Sequence, residues 1–153
     1  MAAAPPVDPG SIVPPLTDRT GYELWHSDKL RFADMDRQNH VNNALFSTFF
    51  EGGRVAFLDR EIRPYLEAAE DPTVLARITL DYLGEMRFPG LVEVGTRILR
   101  VGRTSLNFGQ GLFNDGRCTA IAVSTVVVID RVTRRAKPFS PELARRLAAL
   151  AET

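Results

Sequence analysis

Hydrophobic positions alternate with polar ones over most of the second half of the chain, which predicts β-strands there. The predicted strands span residues 74–83, 91–101, 104–113 and 118–129. The connectors Gly102-Arg103 and Asn114-Asp115-Gly116 have the composition of hairpin turns, so consecutive strands are expected to be antiparallel. A further, earlier strand is predicted over residues 22–32.

A different spacing occupies residues 44–60, where the apolar positions recur at steps of three and four. They are Phe46, Phe49, Phe50, Gly53 and Phe57. This period predicts a helix, with Asn42 or Asn43 as its N-cap. Gly52 and Gly53 each cost about 0.8–1.0 kcal/mol in a helix interior, so we expect a sheet to approach the backbone closely at Gly53. The alternative is a break between two short helices at this pair.

Together these elements predict an α+β fold with one long helix and an antiparallel sheet. The last strand is apolar on both sides in its second half, which indicates that both of its faces are covered. A short C-terminal helix is predicted over residues 141–150, with Ser140 as its N-cap. Residues 1–16 are rich in Ala and Pro and are expected to be a disordered tail, leaving residues 17–153 as one domain.

Composition narrows the functional classes. The chain of 153 residues has 19 Lys and Arg against 19 Asp and Glu, so no overall charge favours nucleic acid or an anionic membrane. No apolar run is long enough to span a bilayer. The single cysteine, Cys118, excludes an intramolecular disulfide and favours the cytoplasm as the compartment.

The candidate chemistry lies in the polar segment that precedes the long helix. It contains Asp34-Met35-Asp36 and His40-Val41-Asn42-Asn43, and Glu51-Gly52-Gly53-Arg54 follows within the helix. Read from the residues alone, the Asp side chains close turns, the Asn side chains cap the helix, and Glu51 pairs with Arg54. His40 is then a hydrogen-bonding loop residue. The spacings match no standard zinc pattern, so no metal site is predicted.

In order and spacing, these three motifs resemble the hotdog-fold acyl-CoA thioesterases of the 4-hydroxybenzoyl-CoA thioesterase type. The resemblance extends from Tyr22 to about Arg131. It implies a sheet of about five strands wrapped around one central helix, an acyl-CoA substrate, no cofactor, and a homodimer or homotetramer. Many members have Gly where this chain has Asn39, so we expect Asn39 to adopt the left-handed conformation.

The resemblance also implies roles for individual residues. Asp36 is the catalytic carboxylate, as general base or as nucleophile, and the N–H of Asn43 at the helix start is the oxyanion donor. His40 orients the substrate or assists proton transfer. The candidate substrate-binding residues are Asn42, Phe46, Phe50, Arg103 and Thr104. The acyl chain would lie against Phe46, Phe49 or Phe50, and the resemblance implies that basic and hydroxyl residues of the hairpin, Arg103 first, meet the coenzyme A nucleotide. Arg87 and the cluster at residues 131–137 are weaker candidates for those phosphates.

The predicted function is therefore hydrolysis of an acyl-CoA thioester to the free acid and coenzyme A. One alternative is a non-catalytic acyl-CoA-binding protein of the same fold, since a fold does not determine an activity. The other is a hotdog hydroxyacyl dehydratase, for which His40 and Glu51 supply the residue types, although no His-Phe-Pro-like element surrounds His40.

Overall fold

A computed structural model of the protein describes residue 8 and residues 11–66 and 71–151. Within them the chain forms, in order, β1 (Leu24–Lys29), α1 (Asn43–Glu61), β2 (Thr73–Tyr82), β3 (Leu91–Val101), β4 (Ser105–Asn114), β5 (Arg117–Val128) and α2 (Pro141–Ala151). Short 3-10 turns at Phe32–Asp34 and Arg63–Tyr65 precede and follow α1.

The five strands form one antiparallel sheet in the order β1-β3-β4-β5-β2. The predicted α+β architecture with a five-stranded sheet and one long helix is thus confirmed. β1 and β2, which precede and follow α1 in sequence, are the two edge strands. The chain therefore crosses one face of the sheet as α1 between them.

The first predicted strand is too long. β1 covers only Leu24–Lys29, and Phe32 begins a 3-10 turn. The turn forms because the carboxylate of Asp34 accepts a hydrogen bond from the N–H of Arg31 at 2.7 Å, which competes with strand pairing. The other strands agree with the prediction to within two residues. Residues 67–70, between α1 and β2, lie outside the described residues.

α1 is continuous from Asn43 to Glu61, so a break at the glycine pair is wrong. Its Phe50 and Phe57 are fully buried, and the Phe57 ring packs edge-on against Phe108 of β4 with centroids 5.1 Å apart. A Cβ at Gly53 would lie 2.6 Å from Cγ1 of Val94 in β3. The expected close approach of the sheet at Gly53 is thereby confirmed.

The opposite face of the sheet is covered by residues 11–22, here named the strap. Leu16 and Tyr22 of the strap pack over three positions of β3 and β4 that lack side chains. These positions are Gly95, Gly109 and Gly111. A Cβ at Gly95 would lie 2.5 Å from the Tyr22 ring, and one at Gly109 would lie 2.8 Å from Leu16.

The strap corrects part of the predicted disordered tail. Ile12 is 7% and Leu16 is 2% exposed, and both pack against Val123 of β5. The guanidinium of Arg97 donates a hydrogen bond to the Pro14 carbonyl. Disorder is therefore wrong for residues 11–16, because the strap binds through side chains and needs no strand pairing, whereas residues 1–7 and 9–10 lie outside the described residues.

α2 closes the end of the core where α1 ends. Its Leu143 and Leu147 are buried in the cluster that includes Phe57, and the N–H of Leu143 donates to the Ser140 hydroxyl at 3.2 Å, which confirms the predicted cap. Across residues 11–66 and 71–151 no helix is both long and apolar enough to pass through a bilayer.

Candidate active site

The polar segment between β1 and α1 forms a tight turn around Asp36. The N–H of Asp36 donates to the His40 carbonyl at 2.8 Å, and the N–H of Asn39 donates to the Asp36 carbonyl at 3.0 Å. Asn39 has a φ of 62°, so the predicted left-handed asparagine is confirmed. The turn needs this conformation to bring His40 back beside Asp36.

The two carboxylates of the Asp-Met-Asp motif have different environments. Asp34 is buried and forms an ion pair with Arg31 at 2.7 Å. Burial alone would raise the pKa of Asp34, but the hydrogen bonds from Arg31 outweigh it and hold that pKa below its usual value. Asp34 is thus a structural carboxylate that closes the turn, as the sequence indicates.

Asp36 is half-buried and only one of its carboxylate oxygens is used by the fold. Oδ1 accepts from the N–H groups of Gln38 at 2.8 Å and His40 at 3.3 Å. No described residue donates a hydrogen bond to Oδ2. The protein therefore holds the Asp36 carboxylate in a fixed orientation with one oxygen available to a substrate or a water molecule.

The start of α1, which follows the Asp36 turn along the chain, provides a hydrogen-bond donor. Asn42 is the N-cap, and its side-chain oxygen accepts from the N–H of Ala44 at 3.0 Å. Among the described residues the N–H of Asn43 has no acceptor. Free N–H groups at a helix start carry the positive end of the helix dipole and bind negatively charged oxygen.

His40 is held by the loop that connects β2 to β3. Its Nε2 lies 3.0 Å from Oε2 of Glu85 and 2.8 Å from Nη2 of Arg87. The loop is brought there by the N–H of Val41, which donates to the Met86 carbonyl at 2.9 Å. His40 is therefore a hydrogen-bonding residue at the rim of the turn, next to both Asp36 and a guanidinium.

The aromatic candidates lie beneath the site. Phe50 is fully buried and Phe46 is nearly so, within the core cluster that fills the space between α1 and the sheet. The ring of Tyr82 packs edge-on against Phe46 at 5.2 Å, and its hydroxyl donates to the Asn43 carbonyl at 3.1 Å. Phe46 and Phe50 are thus core residues, and of the two Phe46 contacts the exposed Tyr82, which reaches the start of α1.

Arg103 and Thr104 lie at the other end of the sheet. The Asp36 turn adjoins the start of β3, where the N–H of Leu30 donates to the Gly90 carbonyl at 3.0 Å, whereas Arg103 follows the end of β3. An 11-residue strand spans about 33 Å at roughly 3.3 Å per residue. The structure therefore does not bring Arg103 and Thr104 to Asp36 within one chain.

The expected ion pair between Glu51 and Arg54 is wrong. Arg54 is buried, and its Nη1 donates to Oε1 of Gln110 in β4 at 3.2 Å, while Glu51 is exposed. Burial lowers the pKa of Arg54. The Gln110 amide also donates to the Phe50 carbonyl at 3.0 Å, so this contact joins α1 to the sheet beneath the glycine pair.

Sequence reasoning missed Tyr82 and Glu85 as residues of the site. Both follow Asp36 by more than forty positions and belong to β2 and the loop after it. Nothing local to these positions points to the site, because the hydrogen bond from Val41 to Met86 is a tertiary contact.

Comparison with known proteins gives the family. Residues 30–147 match the family model described as the thioesterase-like superfamily. That match includes the Asp36 turn, α1 and all of β2 to β5. The chain belongs to the thioesterase-like superfamily. No curated protein matches the sequence.

Solved structures described as thioesterases share the fold. A thioesterase from Thermus thermophilus, complexed with coenzyme A and Zn, is 28% identical with a TM-score of 0.75, covering 88% of this chain and 98% of that one. A predicted thioesterase from Bacillus stearothermophilus is 25% identical with a TM-score of 0.74, covering 82% and 94%. The hotdog fold implied by the motifs is thus confirmed for this thioesterase-like chain. Within residues 11–66 and 71–151 no three His, Cys, Asp or Glu side chains cluster closely enough to hold a metal ion.

Proposed function

We propose that the protein hydrolyses acyl-CoA thioesters, with Asp36 as the catalytic carboxylate. The proposal depends on one observation above all: Asp36 has a free Oδ2 in the turn that leads into α1, and the N–H of Asn43, the first residue of α1, has no acceptor among the described residues. Membership of the thioesterase-like superfamily supports the reaction class, and the coenzyme A complex of the Thermus relative supports the substrate class.

In the proposed reaction the thioester carbonyl oxygen lies against the N–H of Asn43. Asp36 removes a proton from water as the water oxygen bonds to the carbonyl carbon, and the helix start stabilises the negative charge on the carbonyl oxygen. Collapse of this intermediate breaks the carbon–sulfur bond and releases the thiolate of coenzyme A, which takes up the proton. Alternatively Asp36 itself attacks, and water then hydrolyses the anhydride.

His40 has a supporting part in this proposal. Its backbone N–H contacts the Asp36 carboxylate, and its imidazole is tied to Glu85 and Arg87. In the dehydratase alternative His40 requires a carboxylate on the helix, but Glu51 of α1 is not among its contacts. The imidazole therefore positions the turn and the substrate, and Asn42 positions the helix start.

The proposal includes a homodimer or homotetramer in the cytoplasm. β2 is an edge strand, and three large apolar side chains on it and just after it are about half exposed: Leu75, Tyr82 and Leu83. An open, apolar edge strand favours pairing with a second copy. Because Tyr82 contacts both Phe46 and Asn43, this edge would place the second copy beside the proposed site.

The decisive experiment follows thiol release from aryl and short-to-long acyl-CoA thioesters with wild type and Asp36→Asn. Asparagine keeps the Oδ1 acceptor for Gln38 and His40, so the turn is preserved, and loss of the base should lower kcat by about a hundredfold or more. Asp28→Asn, an exposed carboxylate of β1, is the matched control and should keep full activity.

Three outcomes are distinguishable. Equal hydrolysis by wild type and Asp36→Asn would retain a thioesterase but exclude Asp36 as its catalytic residue. Binding of coenzyme A with no turnover of any thioester would replace the proposal with the non-catalytic binding protein. Loss of turnover in Asp36→Asn alone, with an unchanged unfolding midpoint, is the expected result.

A further inference from the structure

A groove opens beside His40 where β3 begins and β4 ends. It encloses about 500 Å³ between the loop that follows β2 and the turn between β4 and β5. Its lining residues are Glu85, Arg87, Phe88, Pro89, Asn114, Asp115 and Arg117. Arg87 joins the groove to the Asp36 turn, because its Nη2 lies 2.8 Å from Nε2 of His40.

Arg87 and Arg117 bring two guanidinium groups to the groove. Arg117 forms no ion pair with any described residue. Arg87 contacts His40 and lies 3.5 Å from Glu85, and its side chain is 62% exposed. A guanidinium with open faces suits bidentate binding of phosphate oxygens.

The contact between Arg87 and His40 is one of two exclusive alternatives. Nε2 of His40 lies within hydrogen-bond distance of Arg87, which only donates, and of Glu85, whose carboxylate only accepts. One ring nitrogen satisfies one of them at a time. When His40 donates to Glu85, Arg87 loses its His40 acceptor and keeps only the 3.5 Å contact with Glu85, which leaves its other N–H groups available for an anion in the groove.

An exposed aromatic pair adjoins the two arginines. Phe32 is 78% and Phe88 is 44% exposed, and their rings pack edge-on with centroids 6.1 Å apart. The N–H of Phe88 contacts the sulfur of Met35 at 3.4 Å, which joins the pair to the Asp36 turn. Exposed aromatic rings beside basic side chains stack on nucleobases.

We propose that this groove binds the nucleotide of the acyl-CoA substrate, with Arg87 and Arg117 on its phosphates and the Phe32–Phe88 pair against its base. The inference rests on the proposed thioesterase function and replaces Arg103 and Thr104 as the phosphate-binding residues of the same chain. The groove adjoins the Asp36 turn, whereas Arg103 is a full strand length away.

The test compares three thioesters of the same acyl group. The first is the acyl-CoA, and the second is the pantetheine thioester, which lacks every phosphate. The third is the 4′-phosphopantetheine thioester, which carries the one phosphate that a carrier protein also presents. For Arg87→Ala and Arg117→Ala we expect KM for the acyl-CoA to rise about tenfold each with kcat nearly unchanged, and KM for the pantetheine thioester to stay constant. Arg87→Lys keeps the positive charge, so its KM for the acyl-CoA should lie between those of wild type and Arg87→Ala. Arg100→Ala, an exposed arginine at the far end of β3, is the control and should match wild type.

Several results would overturn the assignment. An equal rise in KM for the pantetheine thioester would mean that Arg87 supports the turn and does not bind phosphate. If KM for the acyl-CoA rises in Arg103→Ala and not in Arg87→Ala, the phosphates bind at the hairpin of residues 102–105 and not in the groove. If the two Arg→Ala variants raise KM equally for the 4′-phosphopantetheine and coenzyme A thioesters, the groove binds a single phosphate and the nucleotide assignment is wrong.

Calorimetric titration with coenzyme A separates this inference from the proposed function. It measures binding without turnover, so it applies even if wild type hydrolyses no thioester. Weaker binding by Arg87→Ala and Arg117→Ala than by Arg100→Ala supports the groove as a nucleotide site. Equal affinity in all four proteins, wild type included, excludes it.

Discussion

The glycine pair in α1 allows a stringent test of how the sheet packs on the helix. Gly52→Ala and Gly53→Ala each gain about 0.8–1.0 kcal/mol in helix propensity, because both positions lie in the interior of the same helix. The difference between the two variants therefore reports only what each new methyl group meets. Each of the two variants therefore controls for the gain in helix propensity of the other.

The two methyl groups meet different neighbours. At Gly53 the new Cβ would lie 2.6 Å from Cγ1 of Val94 and 3.0 Å from Nε2 of Gln110. Val94 is a buried β-branched residue with little rotamer freedom, and the Gln110 amide is held by two hydrogen bonds. At Gly52 the Cβ would lie 3.1 Å from Nε2 of His26, the far end of a half-buried side chain on an edge strand, which can move aside.

Overpacking a core costs about 1–3 kcal/mol, so Gly53→Ala should be less stable than Gly52→Ala by about that amount. Urea unfolding at one protein concentration, with equal m-values, measures the difference, and each kcal/mol corresponds to roughly 2–4 °C in Tm for a chain of this size. If Gly53→Ala is as stable as Gly52→Ala, the close contact between α1 and β3 is refuted.

Two further predictions concern a half-buried carboxyl and the strap. Burial raises the pKa of Glu23 from 4.5 to about 7, so its favourable contribution is present below pH 4.5 and lost as the pH rises through about 7. Wild type should lose stability relative to Glu23→Gln over that range in urea unfolding, and parallel pH profiles would contradict this. Gly111→Ala would place a Cβ 2.5 Å from the Leu16 carbonyl and should cost about 1–3 kcal/mol while speeding proteolysis within the strap. Gly84→Ala, with its nearest atom at 3.7 Å, should leave proteolysis unchanged.

Local signals in the sequence were sufficient for most of the elements and for the shape of the Asp36 turn. The hairpin connectors and the alternation in β3, β4 and β5 act over a few residues, so the meander could be predicted. The same is true of the left-handed Asn39, the Asn42 cap and the close approach at Gly53. Each depends on the conformational preference of one residue in its own segment.

The strap and the partners of His40 depend on contacts between distant parts of the chain. The Pro-rich segment at residues 11–16 packs on the sheet because Gly109 and Gly111, far along the sequence, leave room for Leu16, and because Val123 and Arg97 contact Ile12 and Pro14. His40 meets Glu85 and Arg87 because the loop after β2 folds back on the turn. The resemblance to a family implied a role for Arg103, but it gave no distances. Only the structure shows that the length of β3 separates Arg103 from Asp36 within one chain.

The strand order has a consequence for the order of folding. β3, β4 and β5 are joined by short turns, so their pairing closes small loops and can form early. The nearest pair between β1 and β3 is Lys29 with Leu91, and the nearest pair between β2 and β5 is Tyr82 with Ala120. Both edges therefore close much longer loops than the turns of the meander do. We expect the three-stranded meander to form first and the edges to close around α1 afterwards. The Asp36 turn, which lies between β1 and α1, is then assembled only in that last step, so an intermediate with the meander alone has a sheet but lacks the candidate active site.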